Sequence, residues 1–275
     1  MKKTVLLFLN VFIVVSGLYA QKKNPSLLLD KGQTLNYQVT ADIDMTQSMM
    51  GQELQSKINS SSQAIFTVED IQQGNYLIRQ MLKDVEMHMK MQEMDTTFRM
   101  AEQSNFPALL VGKDGKVLSH TQSTDTKSKG GFSPDMAGNT TFVPFVEFPN
   151  YTVKKGESWN TTYNDTTLFA EGLLINKVKT AYTLEGEEKK DGKKCLKISY
   201  KSTIENEGST SMQGMEFYIE GSGAMHGTQW IDAKTGILVV DESVMENQMS
   251  LSLSGQQNFV IPLSMKTQVV RKLIP

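Results

Sequence analysis

Met87-His-Met-Lys-Met91 is the densest group of potential metal ligands in the chain. Thioethers are soft ligands, so a Met-x-Met-x-Met strand can hold Cu(I), and the spacing resembles that of periplasmic copper proteins. The same side chains on an apolar face have a second use. They are flexible and polarizable, and they adapt to varied apolar partners or fill irregular gaps in a core. Other reactive side chains are sparse. There are three histidines, His88, His120 and His226, and none stands at metal-ligand spacing to another or to Cys195. His88 falls on the polar side of the methionine alternation, and His226 sits in a Gly/Ser-rich stretch that reads as a turn. Gly221-Ser-Gly223 lacks the flanks of a nucleophile elbow or a phosphate loop. The single cysteine excludes an intrachain disulfide and reads as a small strand residue. No convergent catalytic set emerges, so the expectation is a protein that is not an enzyme and uses no cofactor.

The elements that carry these residues are strands. Ile43, Met45, Gln47 and Met49 alternate with polar residues, as do Val85, Met87, Met89 and Met91. The same holds for Leu196, Ile198, Tyr200 and Ser202, and for Met245, Met249, Leu251 and Leu253. Period-two alternation puts one face of each strand on an apolar interior and the other in water. Helical periodicity is absent beyond the first residues. Gln72-Gln-Gly-Asn75, Lys113-Asp-Gly-Lys116, Lys190-Asp-Gly-Lys193 and Lys234-Thr-Gly236 supply the positive φ angles that tight hairpins need. The expected fold is all-β: two similar antiparallel halves forming a large curved sheet, a half-barrel or clam. Little helix is expected outside the leader.

The halves are legible as a repeat. Gly32 corresponds to Gly156, Gly74 to Gly192 and Gly115 to Gly236 at nearly constant offset, with flanking residues alike in kind. A period this long marks a duplicated half-domain. The organisation expected is a signal peptide over 1–20, a first half over 21–122, a connector over 123–150 and a second half over 151–275. The connector is polar up to Phe142 and then turns apolar at Phe142, Phe145 and Phe148.

Lys2-Lys3, the apolar run Val5–Val15 and the small residues ending at Ala20 have the pattern of an export signal. The run is too short for a transmembrane helix, which takes about 20 residues, and no later stretch is longer. The mature chain is expected in the periplasm or outside the cell, without a membrane span and without an N-terminal lipid, because Cys195 is far from the cleavage point. Two of the 28 basic side chains lie in the leader, which leaves the 30 acidic ones in excess. With no basic block, nucleic acid is excluded as a partner.

The Ala20-Gln21 junction, Lys31-Gly32, Pro149 with Lys155-Gly-Glu-Ser-Trp159, and Asp232-x-x-Thr-Gly236 resemble a family of exported Bacteroidota proteins of unknown function. The likeness covers most of the mature chain; it implies an envelope or secreted protein and no activity. The long antiparallel sheet is also similar in outline to the half-barrel of bacterial lipoprotein carriers, an architectural analogy alone. Asp95-Thr-Thr97 and Asp165-Thr-Thr167 resemble the short O-glycosylation motif of that phylum.

Three functional readings stay open at this point. One is a non-catalytic envelope protein that takes a lipid-like molecule, or an envelope partner protein, on a methionine-rich concave face. Its binding residues are Met45, Met49, Val85, Met87, Met89, Met91, Met245, Met249 and Leu251, and its deepest pocket is expected to be apolar. The second is a purely structural or interaction module with no cavity. The third is a Cu(I) binder built on Met87, Met89 and Met91.

Overall fold

A computed structural model describes residues 26–49, 51–104, 106, 108–120, 143–169, 172–212, 215–253 and 259–275. The leader and most of the connector, residues 121–142, lie outside them. All regular structure among the described residues is strand: β1 (Thr34–Met49), β2 (Gln52–Gln72), β3 (Asn75–Met91), β4 (Met94–Met100), β5 (Leu109–Val111), β6 (Val117–His120), β7 (Ser158–Phe169), β8 (Gly172–Lys190), β9 (Lys193–Met212), β10 (Met215–Asp232), β11 (Leu238–Leu253) and β12 (Phe259–Ile274).

These strands form one antiparallel sheet in the order β6-β5-β3-β2-β1-β12-β11-β10-β9-β8-β7, with β4 also paired to β3. The sheet is a meander in which sequence neighbours pair, except where β4 and β5 both pair with β3, between the edges β6 and β7, and at its centre. There β1 pairs with β12, from Asn36↔Ile274 to Gln47↔Leu263, and joins the two halves into one surface. Among the described residues β4, β6 and β7 each pair on one side only, so this large curved sheet is not closed into a barrel. On β3, β4 takes the upper part and β5 the lower part, the place that β10 alone fills along β9.

The two ends of the sheet are conveniently called lower, where the Gly74, Gly115, Gly192 and Gly236 hairpins lie, and upper, where β1 turns into β2 and β11 into β12. The glycines matched in the sequence fall at like places and have like backbone angles: φ is +82° and +84° at Gly32 and Gly156, +83° and +80° at Gly74 and Gly192, and +84° and +72° at Gly115 and Gly236. Two lead-in segments close the lower end crosswise. Ahead of β1, the Leu27 and Leu28 amides donate to the carbonyls of Lys113 and Thr235, at 2.8 and 2.9 Å. Ahead of β7, the Phe148 amide donates to Asp114 O at 2.9 Å and the Trp159 indole to Glu147 O at 2.9 Å. Phe145, Val146 and Phe148 are buried, which matches the apolar re-entry expected at the end of the connector.

The inner face carries the main core. Tyr37, Phe66, Ile78, Leu82, Ile198, Ile231 and Leu238 are almost wholly inaccessible, and with the two lead-in segments they form a floor at the lower end. The outer face carries cross-strand ion pairs, among them Lys57–Asp44, Lys177–Glu207 and Lys266–Glu246. The alternation seen in the sequence thus sorts residues as expected.

Candidate functional site

Above the floor the inner face changes character twice. At mid-height a charged pair is buried: Arg271 Nη1 donates to Asp241 Oδ2 at 2.5 Å, with the two side chains 12% and 2% exposed. Tyr200 donates to the other oxygen of Asp241 at 3.0 Å. The ring of Tyr200 ends a row of aromatic contacts, Phe148–Trp159–Tyr182–Tyr200, with centroids 5.6, 5.2 and 5.9 Å apart. This row fits because β10 has glycine opposite it. A Cβ on Gly227 would stand 2.7 Å from the Tyr200 ring and hydroxyl. Burial pushes the Tyr182 phenol up to about 12 and that of Tyr200 higher still, so both stay neutral hydrogen-bonding groups.

Higher up the methionines gather. Across β10 and β11 Met225 faces Met245, and across β1 and β12 Met45 faces Met265, with Met249 and Leu251 further up β11. On β3, Val85 and Met87 are buried, whereas Met89 and Met91 are half-buried. Met45, Met225, Met245, Met249, Met265 and Leu251 are half-buried as well. Met49 ends β1, and its side chain lies outside the described residues. Gly221 and Gly223 make the local packing feasible: a Cβ there would meet Met249 Cγ at 2.5 Å and Asn247 Oδ1 at 1.7 Å. Eight of the nine residues singled out in the sequence therefore share the inner face with described side chains. They stand in two groups, one on β3 and one on β1 and β11 to either side of β12, with β2 between the groups. Sequence reading missed Met225 and Met265, whose alternation was there to be read but whose partners depend on strand register.

The outer face holds what the sequence did not suggest. A cleft of about 650 Å³ crosses β1, β12, β11, β10, β9 and β8 at mid-height, lined by Asp42, Lys201, His226, Glu242 and Gln268 around short side chains such as Ala181, Ser199 and Thr228. It contains no methionine, and charged and polar side chains outnumber apolar ones in its lining. Short residues in two adjacent outward rows leave a trough between longer charged neighbours. His226 is placed within β10, not in a turn: the glycines around it serve inward packing, and the strand runs on unbroken. His88 does meet a carboxylate, with Nε2 2.6 Å from Asp95 Oδ1, but on the exposed β3–β4 hairpin and on the face opposite Met87, Met89 and Met91. Cys195 is buried beside Trp230, Val239 and Val240, and burial raises its thiol pKa. Among the described residues no group of three or more His, Cys, Asp and Glu side chains is arranged to hold a metal ion.

No family model matches the sequence, and no curated protein matches it. Among solved structures the chain has only distant likenesses. An outer membrane channel from Pseudomonas putida F1 is 8% identical with a TM-score of 0.28, the match covering 90% of this chain and 98% of that one. OccK5 (OpdH) of Pseudomonas aeruginosa is 6% identical with a TM-score of 0.27, covering 88% and 99%. At such identities and TM-scores the likeness carries no argument about this chain. A lipid-facing barrel needs an outward apolar band about 25 Å tall. The outward face here has charged pairs in mid-strand instead, at Asp44–Lys57 and Glu246–Lys266.

Proposed function

We propose that the chain is a non-catalytic protein of the cell envelope, exported by its first twenty residues, that binds an apolar or lipid-like molecule on the upper inner face. One observation supports this reading above the others. The floor is fully buried, yet the methionines above it, Met87 apart, keep part of their surface accessible while pointing to the same side. Completing the burial of about 200 Å² of apolar surface is worth roughly 5 kcal/mol at about 25 cal/mol per Å². That is enough for measurable affinity once ordering costs are met. Methionine suits a site that accepts acyl chains of varied shape.

Native mass spectrometry of the protein gently extracted from cells, with and without added Cu(I), tests the reading. A co-purifying apolar mass, displaced by a fatty acid and lost with Met245→Asn and Met45→Asn, is the expected result. An empty protein that binds no fatty acid overturns it in favour of a structural module. A stoichiometric copper adduct abolished by changing Met87, Met89 and Met91 to Leu moves the assignment to metal. The same spectrum reports the N-terminus, expected near Gln21 with no acyl mass.

A further inference from the structure

β7 begins as β1 does. Ahead of β1 the Asp30 amide donates to Gln33 Oε1 at 2.9 Å, and ahead of β7 the Lys154 amide donates to Glu157 Oε2 at 2.8 Å. The glycine of each turn donates across to the next strand, Gly32 to Val68 O at 2.8 Å and Gly156 to Leu184 O at 2.7 Å. The return bonds match too, from Val68 N to Gln33 O at 2.9 Å and from Leu184 N to Glu157 O at 3.1 Å. Both strands then run on without a register shift, β1 along β2 and β7 along β8. In an antiparallel ladder such bonds recur at every second residue, so Gln33 and Glu157 set the phase. Asn36, Gln38 and Thr40 of β1, and Asn160, Thr162, Asn164 and Thr166 of β7, turn their N–H and C=O groups to the other side. On β1 that side is filled by β12, from Asn36↔Ile274 onward. On β7 no described strand fills it. Asn160, Thr162, Asn164 and Thr166 are exposed and make no hydrogen bond outside the ladder with β8. The first half's counterpart of β12 is used elsewhere. At the Gly115–Gly236 offset it spans residues 138–153, whose described part, 143–153, contains no strand and forms the lead-in that caps the lower end.

The edges of the sheet are also unlike. β6 has four residues and β4 seven, with Asp95 and Arg99 among them. Short or charged edge strands resist pairing with other chains. β7 has twelve residues, with no Lys, Arg, Pro or Gly and no bulge, so it carries none of these obstacles. From this we propose that β7 is a dimerisation edge. It pairs antiparallel with β7 of a second copy about a two-fold axis at Tyr163, and one sheet runs through both molecules. A two-fold contact needs a patch that complements itself, and β7 does. With the axis at Tyr163, Thr162 of each copy stands opposite Asn164 of the other, and Asn160 opposite Thr166. The one charged residue of the strand, Asp165, comes opposite Thr161. An axis at Asp165 would set two carboxylates opposite each other, which is destabilising. A single ladder is a small interface, so the dimer is reversible. The proposal requires no bound ligand, so it stands or falls apart from the function proposed above.

The test is sedimentation velocity over a dilution series, with all proteins sharing one N-terminus and circular dichroism verifying each fold. The unaltered chain should pass reversibly between monomer and dimer. Thr162→Pro removes a donor aimed at the free side, a place where an edge strand tolerates proline, and should weaken the dimer by about tenfold or more. Thr162→Lys with Asn164→Lys should do the same, because like charges then meet across the axis. Thr162→Lys with Asn164→Glu makes those pairs unlike and should restore the dimer. Ser222→Lys with Ala224→Lys, at exposed positions of β10 within the sheet, adds the same charge as the double lysine variant and should leave the dimer unchanged. The register is read by oxidation. Cα atoms of a hydrogen-bonded pair lie about 5.5 Å apart, within disulfide reach. A mixture of Thr162→Cys and Asn164→Cys proteins should therefore cross-link more than either alone, with Cys195 buried and silent. A monomer at every concentration up to about 1 mM, or a dimer that no β7 variant weakens, overturns the proposal. So does a monomer in which the Thr162 and Asn164 amides resist hydrogen exchange, which would mean that the chain covers this edge itself.

Discussion

At one end of the sheet the hairpins read Gln72-Gln-Gly-Asn75, Lys113-Asp-Gly-Lys116 and Lys190-Asp-Gly-Lys193. At the other, strands stop and start at Met49, Met91, Met94, Leu253 and Phe259. The lower end has polar turns outside and a dry floor within, sealed by Leu27 and Phe148. The upper end has apolar strand ends and an inner face of half-buried methionines. The buried Arg271–Asp241 pair lies between them. The difference teaches which end holds the fold together: the lower end has the close packing, and the upper end has the adaptable surface. On the proposed function, stability and binding are separable along the strands, and substitutions at the two heights should behave differently.

The largest effects are expected at and just above the floor. Ile198→Ala, and equally Asp241→Ala, should cost about 3–5 kcal/mol, the first by leaving a cavity and the second by stranding a buried guanidinium. Denaturant midpoints check both. Among the lower turns, Gly115→Ala should be far worse than Gly192→Ala. Both glycines have positive φ, but a Cβ at Gly115 would stand 2.2 Å from Val146 O, whereas that of Gly192 meets nothing within 4 Å. The second change should cost only about 1 kcal/mol, and equal losses would break the account of the lead-in cap.

Alkali should act at mid-height, through the buried tyrosines. Tyr182 ionises near 10 when unfolded and is pushed up to about 12 when folded. The unfolded chain therefore releases its proton first, and the contribution, complete below pH 10, falls away between pH 10 and 12. Tyr182→Phe should flatten the stability profile in that window, measured by urea unfolding from pH 8 upward. The smallest effects belong to the upper end. Met245→Leu and Met249→Leu conserve volume and should each cost less than about 1.5 kcal/mol, while changing ligand affinity more than stability. A larger loss of stability would mean the methionines are core after all.

Much of this architecture is visible in the residues themselves. The alternation at Ile43–Met49, Val85–Met91 and Met245–Leu253 assigns faces without the structure, because the side-chain period of a strand is two whatever its neighbours are. The Asp-Gly turns mark strand ends for an equally local reason. What stays hidden is everything that depends on register. Met225 meets Met245, and Met45 meets Met265, only once the strands are aligned. The Gly221–Gly227 stretch reads as a turn because its glycines yield to Asn247, Met249 and Tyr200, residues far away in sequence. The outer cleft is hidden for the same cause, since its lining comes from six strands.

The pairing of β1 with β12 sets the order in which this molecule can assemble. β1 has its second neighbour in β12, eleven strands later, so that edge stays open until β12 is present. Contacts of such separation slow folding, because the loop must close before anything is gained. The crosswise caps add to this, since Leu28 waits for Thr235. A chain built this way cannot complete the centre of its sheet until β12 has been made.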